Sequence, residues 1–149
     1  MPRLSEDDFA LAVRLMPLIS IDLILRDPEG AILVGLRTNE PAKDCYFVPG
    51  GVVLKNERLN EAFARILSAE TGLALPYSAS RLLGVYEHLY PEQNRHYVVL
   101  GRELVLATRP EIRLDGQHTD LRWMKEAELL AAPDVHDNTK AYFRSRSEP

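Results

Sequence analysis

Glu70 occupies the position in this sequence that most requires a partner. It closes the stretch Arg65-Ile66-Leu67-Ser68-Ala69-Glu70-Thr71-Gly72-Leu73, whose glycine has the character of a helix C-cap. At about 100° per residue, Leu59, Ala62, Phe63, Ile66 and Leu73 fall on one apolar arc. Glu57, Glu61 and Ser68 fall opposite, whereas Glu70 lands inside the arc beside Ile66 and Phe63. A carboxylate facing a packed surface is costly unless a cation or donors satisfy it. One reading is a buried salt bridge, or a helix end loose enough for Glu70 to reach water. The other is a ligand for a hard cation, with the Gly50-Gly51 backbone approaching closely because no Cβ obstructs it.

Other residues with chemical potential are scattered. Asp22 and Arg37 lie on segments that read as a hairpin, Leu18 to Leu25 and Ala31 to Arg37, joined by the turn-forming Asp27-Pro28-Glu29-Gly30. Centring the pairing on that turn places Asp22 opposite Gly35 and Ser20 opposite Arg37, so Asp22 and Arg37 become diagonal neighbours on one face. A surface ion pair of little energetic weight and an arginine poised for phosphate oxygens are equal readings. His88, His96 and Tyr97 cluster near the turn Tyr90-Pro91-Glu92-Gln93-Asn94, between strands expected at Leu82 to His88 and His96 to Leu106. A structural role is the plainer reading for them. The segment Asp115-Gly116-Gln117-His118-Thr119-Asp120 reads as a solvated connector.

The elements that must position these groups follow from pattern and punctuation. Ser5-Glu6-Asp7-Asp8 is a capping box opening a helix to about Leu15, which Pro17 terminates. Phe9, Leu11, Ala12 and Leu15 would be its buried stripe, with a nucleobase-facing Phe9 as the alternative. Tyr46 to Pro49 is a short strand before the glycine pair, and about four turns of helix end at Gly72. Leu73 to Ser80 is a loop, Leu121 to Met124 a strand and Lys125 to Ala131 a short helix. Asn138 to Arg144 is a last helix, capped by Asp137 or Asn138.

Gly51, five residues, Glu57, seven residues, Arg65, then Glu70, Gly72 and the aliphatic Leu73 together resemble the Nudix box of the Nudix hydrolases. The full pattern carries two further glutamates on this helix, and here they are Ile66 and Ala69. That pair of losses resembles the GDP-mannose mannosyl hydrolases, whose altered box keeps one metal-binding glutamate. Asp22 and Arg37, the loop Thr38-Asn39-Glu40-Pro41, Tyr97-Val98-Val99-Leu100-Gly101, Gln117-His118 and Asp134-Val135-His136-Asp137-Asn138 also resemble that subfamily. The resemblance implies a single α/β (α+β) Nudix domain over 1–149, with a mixed β-sheet in an α/β/α sandwich.

The resemblance also implies a chemistry. One Mg²⁺ per subunit, with Mn²⁺ as an alternative, would be held by Glu70, the side-chain carbonyl of Gln117 and the backbone carbonyl of Gly50. Glu57 would pair with Arg65 rather than touch metal. His118, whose ordinary pKa is about 6.5, would deprotonate a water attacking the anomeric carbon of a nucleotide sugar such as GDP-mannose or GDP-glucose, releasing the diphosphate. Arg37 would stabilise the leaving group, Asp22 the developing charge on the sugar, and Tyr97, His88 and Phe9 would contact substrate. Conventional cleavage at phosphorus and a weakly active nucleotide-sugar binding module are the rivals. The subfamily's arginine after the glycine pair is Val52 here, so Lys43, Lys55, Arg95 or Arg102 takes its place, or the reaction is slower, or a different nucleotide sugar is used.

Composition sets the outer bounds. A chain of 149 residues with 46% hydrophobic and 27% charged residues is expected to form one globular core. A net charge of −4 offers no general attraction for nucleic acid. Cys45 is the single cysteine, which rules out an internal disulfide framework. No apolar run approaches membrane-spanning length and no signal-like segment is seen, so a cytoplasmic protein without membrane partners is expected. The subfamily resemblance implies a homodimer.

Overall fold

The computed structural model describes residues 3–112 and 118–144. The elements in order are α1 (Glu6–Leu15), β1 (Leu18–Arg26), β2 (Ile32–Arg37), β3 (Tyr46–Phe47), β4 (Gly50–Val52), α2 (Leu59–Thr71), β5 (Arg81–Tyr90), β6 (Arg95–Val105), β7 (His118–Met124), α3 (Glu126–Ala131) and α4 (Asp137–Lys140). The strands form one mixed sheet in the order β3-β2-β1-β6-β5, with β4 on β1 and β7 on β2. β1 runs parallel to β6 along its whole length, Leu18 beside Tyr97 through Arg26 beside Val105.

Alternation along β1 builds two cores. Ile21, Leu23 and Leu25 point to one face, where they pack with Leu33 and with Phe63, Ile66 and Leu67 of α2. Ile24 points to the other, among Val34, Phe47, Leu129, Val135, Tyr142 and Phe143. Helices thus cover both sides of the sheet, as the Nudix resemblance implies.

The other edge of β1 is shared. The Asp27 turn forms as expected, with Asp27 Oδ1 accepting the amides of Glu29 and Ala31 and Gly30 at a φ of 85°. Yet β1 and β2 pair only at Arg26 and Ile32, one residue out of the register centred on the turn. Beyond that point β4 replaces β2, setting Ser20 beside Val52 and Asp22 beside Gly50. Arg37 instead pairs in register with His118 of β7. The diagonal Asp22–Arg37 pairing is therefore not formed. A one-residue offset reverses the face of every side chain, and turn chemistry says nothing of a third strand competing for the edge.

α1 also departs from its expected role. Ser5 caps it, accepting the Asp8 amide at 3.2 Å, and it stops before Pro17 because the residue ahead of a proline is driven out of the helical region. No residue of α1 is buried, and Leu11 and Leu15 are 44% and 64% exposed. Periodicity identifies an apolar stripe but not whether anything covers it, and here α1 lies only lightly against β6. α4 is capped by His136, whose Nδ1 accepts the Asn138 amide at 3.1 Å, rather than by Asp137 or Asn138.

α2 follows its pattern more closely. Ala62, Phe63, Ile66, Leu67 and Thr71 are buried, and Glu70 lies half-buried within the arc they span. Leu59, placed on that arc by periodicity, is 41% exposed at the first turn. Gly72 caps the helix at a φ of 75°. The connection into α2 is held by a forked ion pair: Arg65 Nε and Nη2 donate to the two carboxylate oxygens of Glu57 at 2.7 and 3.0 Å. Arg65 also donates to the Val52 carbonyl, and Glu57 accepts the Leu54 amide.

Arg65's hydrogen bonds hold the Glu57 carboxyl below its ordinary value against the opposing effect of burial. Its contribution is complete above about pH 4.5 and drains away as pH falls through the lowered folded-state value. Glu57→Gln should lower stability at pH 7 by about 1–2 kcal/mol, less than for a fully buried pair because Arg65 is a third exposed. The loss should shrink in urea titrations repeated at successively lower pH, as the wild-type carboxylate itself takes up a proton below its ordinary range.

Candidate functional site

Where β4 takes the place of β2 beside β1, a cleft of about 440 Å³ opens, a size suited to a small ligand. Its floor is Asp22, only 7% exposed. Gly50 faces this carboxylate, and a Cβ there would overlap Asp22 Oδ1 and lie 2.8 Å from the Ile21 carbonyl oxygen. The close approach therefore requires glycine. Asp22 Oδ2 accepts a 2.5 Å hydrogen bond from the Tyr142 hydroxyl. Burial pushes this carboxyl up to about 7, with the Tyr142 hydrogen bond and the positive charge of Arg37 pulling the other way.

Arg37 reaches the same cleft from β2, its Nε donating to the Pro41 carbonyl at 2.8 Å. That bond orients the guanidinium without consuming its charge. His88, Tyr90 and Tyr97 line the wall contributed by β5 and β6. His88 is 4% exposed and sits edge-on to Phe47, with ring centroids 5.7 Å apart. Burial, and then the neighbouring His136, push its pKa down to about 4, so it is neutral at physiological pH.

The two wall tyrosines are oriented by donors. Asn138 Nδ2 donates to the Tyr90 hydroxyl and Arg95 Nη1 to the Tyr97 hydroxyl, each at 3.0 Å. A phenol whose oxygen already accepts a hydrogen bond has its own proton to offer, which suits phosphate or sugar oxygens. Phe9 of α1 lines the cleft as well, under the Arg95 guanidinium at 5.9 Å from its ring centroid. It belongs to neither core cluster, contrary to the core-packing expectation.

Of the residues singled out in the sequence, Phe9, Asp22, Arg37, Gly50, His88 and Tyr97 come together here. Glu70 does not line the cleft; it sits on α2, which covers the opposite face of the sheet. Gln117 and the side chain of His118 lie outside the described residues, although the backbone of His118 is placed beside Arg37. Val52 lines the cleft where the subfamily's arginine was expected, and so does Arg95. Arg102 is excluded as a replacement: it is buried, donating to Ser80 and stacked over Tyr77 at 4.1 Å.

Tyr90, Asn138 and Tyr142 were missed as functional residues. The last two come from the C-terminal segment, which is brought in when Tyr46 and Asp134 to His136 exchange backbone hydrogen bonds along β3. The only sequence signal was the likeness around Asn138.

On the α2 side, Ile66 is 1% exposed and packs where a Cβ on Gly51 would lie 3.0 Å away. Ala69 points to solvent. Among the described residues, no three His, Cys, Asp or Glu side chains form a metal-binding group.

A family model for the Nudix domain matches residues 16–145. The chain belongs to the Nudix hydrolases. Over 126 residues it is 36% identical to the low-salt glycan biosynthesis protein Agl8 of Haloferax volcanii, covering 80% of this chain and 78% of that one. It is also 36% identical over 97 residues to an ADP-ribose pyrophosphatase of Methanocaldococcus jannaschii, across 60% of this chain and 56% of the relative. A MutT Nudix hydrolase from Burkholderia pseudomallei superposes with a TM-score of 0.72 at 26% identity, covering 85% and 96% of the two chains. The sandwich expected from the sequence is thus the fold of this Nudix protein.

The buried acid of the cleft works against its stability. A carboxyl raised from 3.8 to about 7 favours the folded state only while protonated, so stability is lost as pH rises through that interval. Asp22→Asn should therefore stabilise the protein progressively from pH 4 upward, by up to about 4 kcal/mol above pH 7. Urea unfolding of the two proteins at pH 5 and pH 8.5 measures this; an equal difference at both would contradict it.

Proposed function

We propose that this Nudix hydrolase cleaves a nucleotide sugar, GDP-mannose or GDP-glucose, at the anomeric carbon, giving the nucleoside diphosphate and a free hexose. The observation that carries the reading is the division of labour across the sheet. With Ile66 sealed against Gly51 and Ala69 in solvent, α2 has lost the carboxylates that would assemble several metals around phosphorus. The opposite face instead gathers Asp22, Arg37 and two oriented tyrosine hydroxyls around one cleft. The Agl8 relative, named for glycan biosynthesis, is in keeping with a sugar-bearing substrate.

In this reading Glu70, the Gly50 carbonyl and Gln117 would hold one Mg²⁺ or Mn²⁺ near β4, the strand that both lines the cleft and packs against α2. When bound, the cation screens negative charge on the diphosphate. Arg37 and Tyr97 hold the diphosphate oxygens, Arg95 adds positive charge in place of the arginine missing at Val52, and Phe9 offers a face to the base. His88, being neutral, contacts the sugar without adding charge. Asp22 steadies the developing positive charge at the sugar ring. His118 takes the proton of the attacking water as the bond between the anomeric carbon and the diphosphate oxygen breaks, so that oxygen leaves with the bonding pair. The active species would be a cytoplasmic homodimer.

Hydrolysis in ¹⁸O-water across GDP-, ADP-, UDP- and dTDP-sugars tests the bond cleaved. Label in the hexose, with a diphosphate product, is the expected result. Label in phosphate would favour the pyrophosphohydrolase chemistry for which the Methanocaldococcus relative is named. Tight binding without turnover on any of them would favour a binding module. Separately, His118→Gln should lower kcat by roughly 10²–10⁴-fold at neutral pH. That deficit should narrow as pH rises and hydroxide competes; an unchanged rate removes His118 from the reaction.

A further inference from the structure

Tyr142 belongs to the segment after α4, is 6% exposed, and does not itself line the cleft. Its ring is nonetheless given a made seat on the sheet. Gly101 of β6 lies in register beside Asp22 of β1 on one side and beside Gly84 of β5 on the other. A Cβ on Gly101 would lie 3.3 Å from Tyr142 Cε1 and 3.2 Å from Tyr86 Cε2. Tyr86 meets Tyr142 edge-on, with centroids 4.6 Å apart. So the ring crosses the sheet where β6 has no side chain, and its hydroxyl arrives between groups from the two flanking strands: Asp22 Oδ2 at 2.5 Å and His88 Nε2 at 3.3 Å.

A phenol has one proton to give and lone pairs with which to accept. With the carboxylate charged, that proton goes to Asp22, since a charge-assisted bond is both shorter and stronger. The remaining partner must then donate, which assigns the proton of neutral His88 to Nε2. We infer that Tyr142 is a positioning residue for the cleft, relaying a hydrogen-bond chain from His88 Nε2–H through its own hydroxyl to Asp22 Oδ2. The chain fixes the carboxylate so that Oδ1 faces Gly50, and leaves His88 Nδ1 as an acceptor. This deepens the nucleotide-sugar reading, and only its kinetic consequence rests on that reading.

The relay is read directly by long-range ¹H–¹⁵N spectra of the full chain labelled at histidine nitrogen, at pH 8.5, with His88 assigned through His88→Gln. The wild type should show His88 in the Nε2–H form, and Tyr142→Phe, which keeps the ring but removes the relay, should shift it toward a mixture with Nδ1–H. In turnover, Tyr142→Phe should lower kcat by roughly ten- to a hundredfold, the worth of one hydrogen bond to a charged group, with KM changed less than threefold. Gly101→Ala provides a second variant that retains the hydroxyl but displaces the ring, and should lower kcat in the same direction. An unchanged His88 tautomer in folded Tyr142→Phe overturns the relay, and a shifted tautomer with unchanged kcat overturns the positioning role. If the tautomer shifts while the wild type turns over no nucleotide sugar, the relay stands and the substrate reading fails.

Discussion

The divided edge of β1 is the constraint on which the rest of this structure depends. A strand has two hydrogen-bonding edges, and β6 occupies one of them throughout. The other is split between β2 at Arg26 and β4 at Ser20 to Asp22. Because β2 must leave β1 to make room, it carries Arg37 away to pair with β7. The gap becomes the cleft, with Asp22 on its floor and Arg37 on its rim. Gly50 is the residue that permits the exchange, since any side chain there would meet both Asp22 and the backbone of Ile21.

The sheet also keeps two kinds of chemistry apart. Side chains alternate, so β1 sends Ile21 and Leu23 toward α2 and Asp22 and Ile24 the other way. On the α2 side, apolar packing has displaced carboxylates: Ile66 fills space against Gly51 that a charged side chain could not occupy without desolvation. On the other side, an acid is buried and supported by a phenol, an arginine and an imidazole. These arrangements complement each other, because Arg37 and Arg95 bring positive charge to the cleft while the acid is kept in its own pocket of hydroxyls and rings.

Much of the frame was legible from local signals. The Ser5 cap, the stop before Pro17, the Asp27 turn and the Gly72 cap are properties of a few adjacent residues, and each formed. Of the capping box only the Ser5 half is made, since Asp8 accepts from the Ser5 hydroxyl and not from its amide. The Glu57–Arg65 pairing, implied by the family resemblance, also formed. What the sequence could not show was non-local. The β1–β2 register failed because β4 competes for the same edge. The buried stripe of α1 failed because α1 lies only lightly against β6 among the described residues, and Phe9 turned to the cleft instead. Tyr142 carried no signal at all, since its meaning depends on Gly101, Asp22 and His88 meeting across three strands. Gln117 and the His118 side chain were read from likeness alone.

The Asp22–Tyr142 contact joins residues 120 positions apart, and that separation has a kinetic meaning. Closing so long a loop carries an entropic cost that nothing local offsets, and the parallel β1–β6 pairing beneath it is likewise slow to form. A chain with its hairpins and α2 alone has the β5–β6 wall but not the β1–β6 pairing that sets Asp22 beside it, nor the Tyr142 contact that holds that carboxylate. The cleft thus depends on the most sequence-distant contacts of the fold, so it is complete only when the whole topology is. The fraction of molecules able to bind should equal the fraction fully folded.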